Sequence, residues 1–415
     1  MKFLRKISLT QYIFIGIFLG ILGGWIFGES ILPVANPLSQ LFLRLLRMII
    51  MPLIITSILS GVLSVGSSKN LGILGAKTII YYLTTSLLAI FTGQVLVLLF
   101  RPGVGAQINL EHDVQQIDAA QQSISDILFR IIPENPFKSM VDGDVLPVIF
   151  FTILFGVFIT RLKAEYREPI STFVEGGFRA MMKLTHLVIW SAPFGVFGIN
   201  AKLVATSGFS AFKSLGFYFA VVAFGLLWHA MINLPLILSF IARVNPIKHY
   251  KGVTPALLTA FSTSSSMVAL PFNMECTIKR SRVSPKIANF TLPLGATINM
   301  DGTALYECVA TVFIAQVYGI ELSIGQQMIV VLTALLASIG AAGIPMAGLV
   351  MMSIILQAVG LPLEGVGIIL AVDRFLDMLR TTVNVLSDSC GAVVIARSEG
   401  ESLERMGEPE DAESE

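Results

Sequence analysis

The sequence predicts an all-α polytopic membrane protein with eight transmembrane helices and two re-entrant helical hairpins. Hydrophobic residues make up 54% of the 415 residues and charged residues only 13%, whereas soluble domains carry about 25% charged residues. The mean hydropathy is +0.79. Apolar runs of span length recur along the chain, and two further apolar runs are interrupted by Ser, Gly and Pro. The net charge of +1 gives no reason to expect nucleic acid as a partner.

Eight apolar runs are long enough to cross a lipid bilayer, which takes about 20 residues in a helix. They lie near residues 9–29, 38–66, 72–100, 144–162, 182–206, 214–243, 287–317 and 363–396. Lys and Arg are concentrated before the first run and in every second loop, which places the amino terminus in the cytoplasm. The polar stretch near 101–140 is predicted to be an outer loop. No cleavage pattern follows the first run, so we expect it to be a retained span.

Two apolar segments predict re-entrant hairpins. The first, 253–278, is broken by the serine-rich run 262–266, and the second, 325–360, is broken by the Gly- and Pro-containing run 338–345. Each arm has about 10 to 14 residues, too few to cross a bilayer. Non-helical backbone at that depth is tolerated only where protein or water surrounds it, and paired broken segments in transporters indicate a binding site. Two spans kinked by Gly and Pro are the alternative.

The last span carries a polar stripe. At 100° per residue, one face of its helix holds Asp373, Asp377, Arg380, Asn384 and Asp388. Each buried charge at membrane depth costs at least a few kcal/mol, so such groups are paired or bind something. Because the stripe contains both signs of charge, we predict a site for a zwitterion and cations.

The seventh span offers oxygen ligands within five residues, from Asn299 to Thr303. Gly302 weakens the helix there, and local unwinding would free backbone carbonyls. Hard cations such as sodium prefer oxygen donors, and the buried Asp301 can balance one bound cation. The alternative is that Asp301 caps a helix at a break. In the third span Tyr82, Thr85 and Ser86 add hydroxyls, although Ser and Thr often bond to their own helix.

Glu307 lies four residues after Thr303, on the same helical face. Desolvation favours the neutral form of a lone carboxyl, so Glu307 is a candidate proton carrier. The alternative is a permanent pair with a cation, for which the neighbouring sequence offers no partner.

Metal-binding and disulfide patterns are not found. The three cysteines are odd in number and lie in apolar segments, which argues against a disulfide framework. His112, His186, His229 and His249 have no ligand spacing, so we predict single polar or interfacial groups. We also expect no organic cofactor.

Four motifs resemble the glutamate transporter family in order and spacing. They are the serine-rich hairpin, Asn-Met-Asp-Gly-Thr at 299–303, Ala-Ser-Ile-Gly-Ala-Ala-Gly-Ile-Pro at 337–345, and Asp-Met-Leu-Arg-Thr-Thr-Val-Asn-Val-Leu-Ser-Asp at 377–388. This family of dicarboxylate/amino acid:cation symporters includes the mammalian excitatory amino acid transporters and archaeal aspartate transporters. The likeness covers the whole chain and is densest over 250–397.

The resemblance implies a homotrimer in a lipid bilayer that works by an elevator mechanism. A scaffold domain would comprise residues 1–71 and 101–207, the latter including the outer loop. A mobile transport domain would comprise residues 72–100 and 208–397, which include both hairpins. Residues 398–415 are predicted to be a disordered acidic cytoplasmic tail.

The resemblance also implies the substrate-binding residues. Arg380, helped by Thr303, would hold the side-chain carboxylate of the substrate, and Asp377 would hold its amino group. Asn384 and Ser265 would hold the α-carboxylate. The full predicted set is Ser265, Thr303, Ile344, Gly348, Asp377, Arg380, Thr381 and Asn384.

Three sodium sites are implied in the same way. The first comprises Asn299, Asp388 and the carbonyls of Gly295 and Asn384. The second comprises carbonyls at Thr297, Ser338, Ile339 and Ala341. The third comprises Tyr82, Thr85, Ser86, Asn299, Asp301 and Thr303. Glu307 matches the proton carrier of the mammalian acidic amino acid transporters.

The chain departs from the family pattern at two positions. Archaeal members carry an arginine where this chain has Thr263, and mammalian acidic transporters carry one where it has Met378. The absence of both leaves Glu307 without the usual cationic neighbour and puts potassium counter-transport in doubt. The arginine that neutral amino acid exchangers lose is kept here as Arg380.

The sequence therefore predicts a plasma-membrane symporter, and not an enzyme, that couples aspartate or glutamate to sodium and a proton. The alternatives within transport are carriers of C4-dicarboxylates or neutral amino acids. An anion channel or non-transporting receptor of the same fold is a different class. An intramembrane enzyme would need a nucleophile–base pair, and the serines at 264–266 have no His near them in sequence.

Overall fold

A computed structural model describes residues 9–66, 72–106, 132–142, 145–208, 210–340 and 347–403. Its helices are α1 (Leu9–Phe27), α2 (Leu32–Gly66), α3 (Gly72–Phe100), α4 (Pro136–Asp142), α5 (Val145–Thr160), α6 (Ala164–Trp190), α7 (Ala192–Ser207), α8 (Ser210–Trp228), α9 (Leu234–Ile237), α10 (Pro246–Thr263), α11 (Ser266–Lys279), α12 (Pro285–Ile298), α13 (Asp301–Val317), α14 (Ile324–Gly340), α15 (Ala347–Ala358) and α16 (Gly365–Ser398). The predicted all-α class is confirmed over these residues. Most of the predicted outer loop and the tail from 404 lie outside them.

Several predicted spans coincide with helices. The runs at 72–100 and 363–396 correspond to α3 and α16. The run at 214–243 corresponds to continuous helix from α8 through α9, with π-helical turns at His229–Asn233 and Leu238–Ala242. The first two runs correspond to α1 and α2, which are separated by one 3₁₀ turn, Gly28–Ile31.

Two predicted spans have different bounds. The run at 182–206 is divided between α6 and α7, and α6 begins at Ala164 because its first half is amphipathic and lacks a continuous apolar stretch. The run at 287–317 is interrupted between α12 and α13, where the backbone at Asn299 is extended, with φ −98° and ψ 90°. The predicted local unwinding of this motif is therefore confirmed, but it precedes Gly302, which is helical.

Length and composition identify three helical runs among the described residues that could cross a membrane: Gln11–Leu63, Ile73–Phe100 and Ser214–Ala242. A fourth is added if α6 and α7, which meet at a 45° bend, act as one span. The apolar parts of α5 and α14 are shorter. Eight spans therefore stay a prediction. Large apolar side chains such as Trp25, Phe91 and Phe240 are exposed, as expected for contact with lipid.

Each predicted hairpin contains two helices that pack against each other. Helices α10 and α11 pack against each other, and the chain reverses at Ser264, which has the left-handed φ of 51°, and at the extended Ser265. Helices α14 and α15 also pack against each other, and their connection, 341–346, lies outside the described residues. The arms therefore fold back on each other as predicted.

Helix contacts divide into two groups. Helices α1, α5 and α6 pack mainly on α2 and α7, and these five helices form one group. Helices α3, α8 and α10–α16 form the other, with α13 and α16 at its centre. The groups touch where α2 meets α14 and α15, where α5 meets α15, and where α7 meets α8 and α16.

Candidate functional site

Buried charges in the first half of α16 form a connected cluster around Arg380, which is 1% exposed. Its Nη1 donates to Asp373 Oδ1 at 3.1 Å, and its Nε and Nη2 donate to Asp377 Oδ1 at 3.1 and 2.9 Å. The guanidinium carbon lies 4.1 Å from the ring centroid of Tyr306, whose hydroxyl donates to Asp373 at 2.6 Å. Asp373, Asp377 and Arg380 of the predicted stripe are thus in direct contact, and a cation and an anion lie side by side.

Two glycines let other helices approach Arg380 closely. A Cβ added at Gly348, near the start of α15, would lie 2.9 Å from the guanidinium carbon. A Cβ added at Gly302, near the start of α13, would lie 2.5 Å from the Arg380 carbonyl oxygen. The second hairpin and the motif at 299–303 therefore both meet α16 at Arg380. Gly302 serves this close approach and does not unwind the helix.

Asn384 caps helix α13 across the gap between two helices. Its Oδ1 accepts hydrogen bonds from the backbone N–H groups of Gly302 at 2.8 Å and Thr303 at 3.3 Å, and its Nδ2 donates to Thr303 Oγ1 at 3.0 Å. These N–H groups have no partner within their own helix. Asp301 is the first helical residue and not the cap, so that alternative is wrong.

The carboxylate of Asp301 is fully buried and collects hydroxyl donors from two other helices. Ser86 and Thr85 of α3 donate to Oδ1 at 2.6 and 3.3 Å, and Ser387 of α16 donates to Oδ2 at 2.6 Å. Thr85 also lies 3.4 Å from Asn299 Oδ1. Members of the third predicted sodium set are thus brought together, and their oxygens are the donors that hard cations prefer.

His229 also contacts Asp301, and this role was not predicted. Its Nε2 lies 3.1 Å from Asp301 Oδ2, and its Nδ1 lies 3.1 Å from the side-chain amide of Asn233, which donates to Thr92 at 2.9 Å. His229 is fully buried, so its prediction as a single polar or interfacial group is wrong. A histidine inside an apolar span needs a partner when buried, which was the available signal.

His249 requires the same correction. It is fully buried at the base of the first hairpin, and its ring nitrogens lie 2.8 Å from Ser281 Oγ and 3.0 Å from Ser389 Oγ. It thus joins α10 to α16 and to the connection between α11 and α12.

Three residues of the first predicted sodium set, Asn299, Asp388 and Gly295, lie together. Asn299 Nδ2 donates to Asp388 Oδ1 at 2.9 Å, and a Cβ added at Gly295 would lie 2.5 Å from that same oxygen. Tyr82 closes this side by donating to the Thr291 carbonyl at 2.7 Å. Asp388 and Asn299 are buried, and α12 ends at this point. In the last turn of α12, the Gly295 carbonyl accepts from the Asn299 N–H at 2.8 Å beside this buried carboxylate.

The remaining predicted residues are described in part. Thr297 lies in the last turn of α12, and Ser338 and Ile339 end α14, which contacts α12. Thr381 is buried on α16, and Ser265 caps α11 by accepting from the Val268 N–H at 3.4 Å. Ala341 and Ile344 lie outside the described residues.

Glu307 is fully buried on α13, and neither of its carboxyl oxygens has a hydrogen-bond partner among the described residues. Arg380 interacts with it electrostatically without a hydrogen bond. The sequence offered no cationic neighbour for Glu307, and the fold supplies one from α16. A permanent hydrogen-bonded ion pair is not formed within the part of the chain described here.

Residues 9–398 match the profile of the sodium:dicarboxylate symporter family. The chain belongs to this family. It is 36% identical over 409 residues to the proton/sodium-glutamate symport protein of Bacillus subtilis, covering 95% of this chain and 94% of that protein. It is 35% identical to the proton/glutamate-aspartate symporter of Escherichia coli, over 95% of this chain and 93% of that protein. It is also 35% identical to mouse excitatory amino acid transporter 3, over 89% of this chain and 80% of that protein. The family predicted from the four motifs is confirmed, and this family member is thus one of a group of membrane transporters.

Proposed function

We propose that this chain is a secondary active transporter that carries aspartate or glutamate together with sodium ions and a proton. The observation that carries the proposal is the hydrogen-bonded pair of Arg380 and Asp377, buried where α13, α15 and α16 meet. An acidic amino acid presents one ammonium and two carboxylates. It can replace the Arg380–Asp377 contact with two contacts of the same kind. The names of the relatives, which are glutamate and aspartate symporters, support the same substrate class.

The substrate roles follow from charge and donor type. Arg380 binds the side-chain carboxylate, because a planar guanidinium matches a carboxylate with two parallel hydrogen bonds. Asp377 accepts from the ammonium group. Thr303 helps Arg380, and Asn384 and the hairpin residue Ser265 hold the α-carboxylate. Gly348, Thr381 and Ile344 complete the proposed substrate-binding set.

Sodium ions are co-transported substrates in this proposal. One is held beside Asp388 and Asn299, and another beside Asp301 among the hydroxyls of Thr85 and Ser86. A third is held by carbonyls between the end of α12 and the second hairpin. The carboxylates of Asp388 and Asp301 each balance the charge of one cation. Their oxygens, which accept hydrogen bonds in the structure, can coordinate the sodium ion instead. Glu307 carries the proton, and no organic cofactor takes part.

The proposal includes a moving unit and a fixed one. The transport domain corresponds to α3, α8 and α10–α16, and the scaffold domain to the helices grouped around α2 and α7. The few contacts between these groups support an elevator motion in which the transport domain slides while its own core stays packed. We place the protein as a homotrimer in the plasma membrane.

A C4-dicarboxylate carrier is the second candidate, because the family is described as sodium:dicarboxylate symporters. Succinate and aspartate differ at the α-amino group. Succinate offers nothing that could replace the donors that Asp377 accepts from Arg380, so a buried carboxylate would lose hydrogen bonds on binding. This difference favours the amino acid.

Uptake by reconstituted proteoliposomes tests the proposal. Labelled aspartate, glutamate, succinate and alanine are compared with sodium or choline outside and at two pH values. We expect aspartate or glutamate uptake that requires sodium and is much faster than succinate uptake. Faster succinate uptake would favour the second candidate, and uptake that is equal in choline would overturn the cation coupling.

A further inference from the structure

A second buried arginine, Arg374, contacts the candidate substrate site. It precedes Asp377 by three residues, whereas Arg380 follows Asp377 by three. Arg374 is 7% exposed and donates from Nη1 to Asp377 Oδ2 at 3.0 Å. Its Nε is buried and has no hydrogen-bond partner among the described residues. Burying a guanidinium carries a large desolvation cost. An ion pair on the protein surface does not incur this cost. None of the roles assigned so far uses this residue.

The two oxygens of Asp377 are engaged by different arginines. Arg380 donates twice to Oδ1, whereas Arg374 donates to Oδ2. With Asp373, these residues form an alternating chain of two positive and two negative groups whose formal charge is zero. The carboxylate of Asp377 is thus fixed by a donor on each side.

We infer that Arg374 is a positioning residue that holds Oδ2 of Asp377 so that Oδ1 is presented to the ammonium group of the substrate. The inference rests on the proposed function. When a substrate carboxylate binds Arg380, Asp377 loses both hydrogen bonds that Arg380 donates to Oδ1. The hydrogen bond from Arg374 to Oδ2 does not involve the substrate and persists. A carboxylate fixed in this way exchanges a guanidinium for an ammonium without turning.

The rival explanation is that the pair only stabilises helix α16. A structural pair would affect every ligand equally, or would affect thermal stability alone. A general attraction for anions would affect aspartate and succinate alike. A positioning role predicts a loss that depends on the ligand's amino group and on the carboxylate of Asp377.

The experiment measures binding of aspartate and succinate to the purified full chain in sodium, by calorimetry, with thermal unfolding recorded for each variant. R374M should lower aspartate affinity about tenfold to a hundredfold, by analogy with the loss of residues that orient metal ligands. Succinate affinity should change much less. R374K keeps a donor of the same charge and should lie between the wild type and R374M. The control is R179M, which removes an arginine from an exposed pair with Glu175 on α6 and should change neither affinity.

A double-mutant cycle with D377N decides whether Arg374 acts through Asp377. In the D377N background, R374M should cause no further loss of aspartate affinity. An equal loss in both backgrounds, or an unchanged ratio of aspartate to succinate affinity in both R374M and R374K, would overturn the inference. Failure of the wild type to bind aspartate would instead overturn the proposed function, so the two failures are distinguishable.

Discussion

Gly302 and Arg380 are in backbone contact, since a Cβ added to Gly302 would lie 2.5 Å from the Arg380 carbonyl oxygen and 2.9 Å from its Cα. The contact joins the motif at 299–303 to the polar stripe of α16. Asn384, one turn after Arg380, caps α13 at the same place. The distance between the candidate cation and substrate groups is therefore fixed by backbone packing and does not depend on flexible side chains.

Replacing Gly302 with alanine should disturb the site. The backbone atoms opposite cannot yield as a side chain would, so overpacking should cost about 1–3 kcal/mol of stability and separate α13 from α16. Aspartate affinity and sodium affinity should fall together. G176A is the matched control, because a Cβ at Gly176 on α6 meets no atom within 4 Å. Thermal unfolding and calorimetry check both variants, and a G302A protein that binds like wild type would contradict the packing argument.

Truncation of Arg380 should abolish recognition of the second carboxylate. R380A leaves Asp373 and Asp377 without their shared donor, and removal of one member of a buried charge pair costs about 2–5 kcal/mol in binding. Neutral amino acids such as serine should then compete better than aspartate. R380K should not restore aspartate binding, because an ammonium cannot form the two parallel bonds of a guanidinium. Competition for labelled aspartate measures this order, and unchanged aspartate affinity in R380A would exclude the assigned role.

Neutralising Asp388 should weaken sodium and substrate binding together. D388N keeps the shape of the side chain but removes the charge that balances a cation next to Asn299. Coupled ligands affect each other reciprocally, so aspartate affinity should fall most at low sodium and recover in part at high sodium. D142N, an exposed change on α4, is the control. Aspartate titrations at several sodium concentrations test this, and an unaltered sodium dependence in D388N would remove Asp388 from the cation site.

The sequence was sufficient where a local pattern fixes the structure. One such pattern is the Ser-rich break at 262–266. Another is the spacing of Asp377, Arg380 and Asn384, because helix periodicity places these side chains on one face. The composition of the run from Asn299 to Thr303 predicted a break in the helix, and the backbone is extended at Asn299. These features need no knowledge of how distant segments pack.

The sequence was insufficient where the contact joins distant segments. His229 and Asp301 are 72 residues apart and meet because a π-helical turn lies at His229–Asn233, which the apolar pattern does not reveal. The capping of α13 by Asn384 likewise depends on the approach of two helices at Gly302. The early start of α6 was missed for a different reason, since its first half is polar on one face.

Glu307 should make uptake depend on pH. In the structure Arg380 interacts with Glu307 without a hydrogen bond, and a bound substrate would direct that guanidinium to its own carboxylate. Two buried anions sharing one cation would repel each other at low dielectric, so Glu307 should be protonated while substrate is loaded. Loading therefore takes up a proton, and uptake should decrease as external pH rises from about 6 to about 9.

The variant E307Q carries the shape of the neutral acid and should keep aspartate binding while losing this decrease. The control is E275Q, because Glu275 is an exposed residue paired with Lys279 on α11 and should leave the pH dependence unchanged. Labelled aspartate uptake and exchange in proteoliposomes at both pH values distinguish the cases. Exchange at equal pH on both sides moves no net proton, so it separates a defect in coupling from a defect in binding. If the wild type responds to pH no more than E307Q does, Glu307 is a structural carboxyl and coupling is to sodium alone.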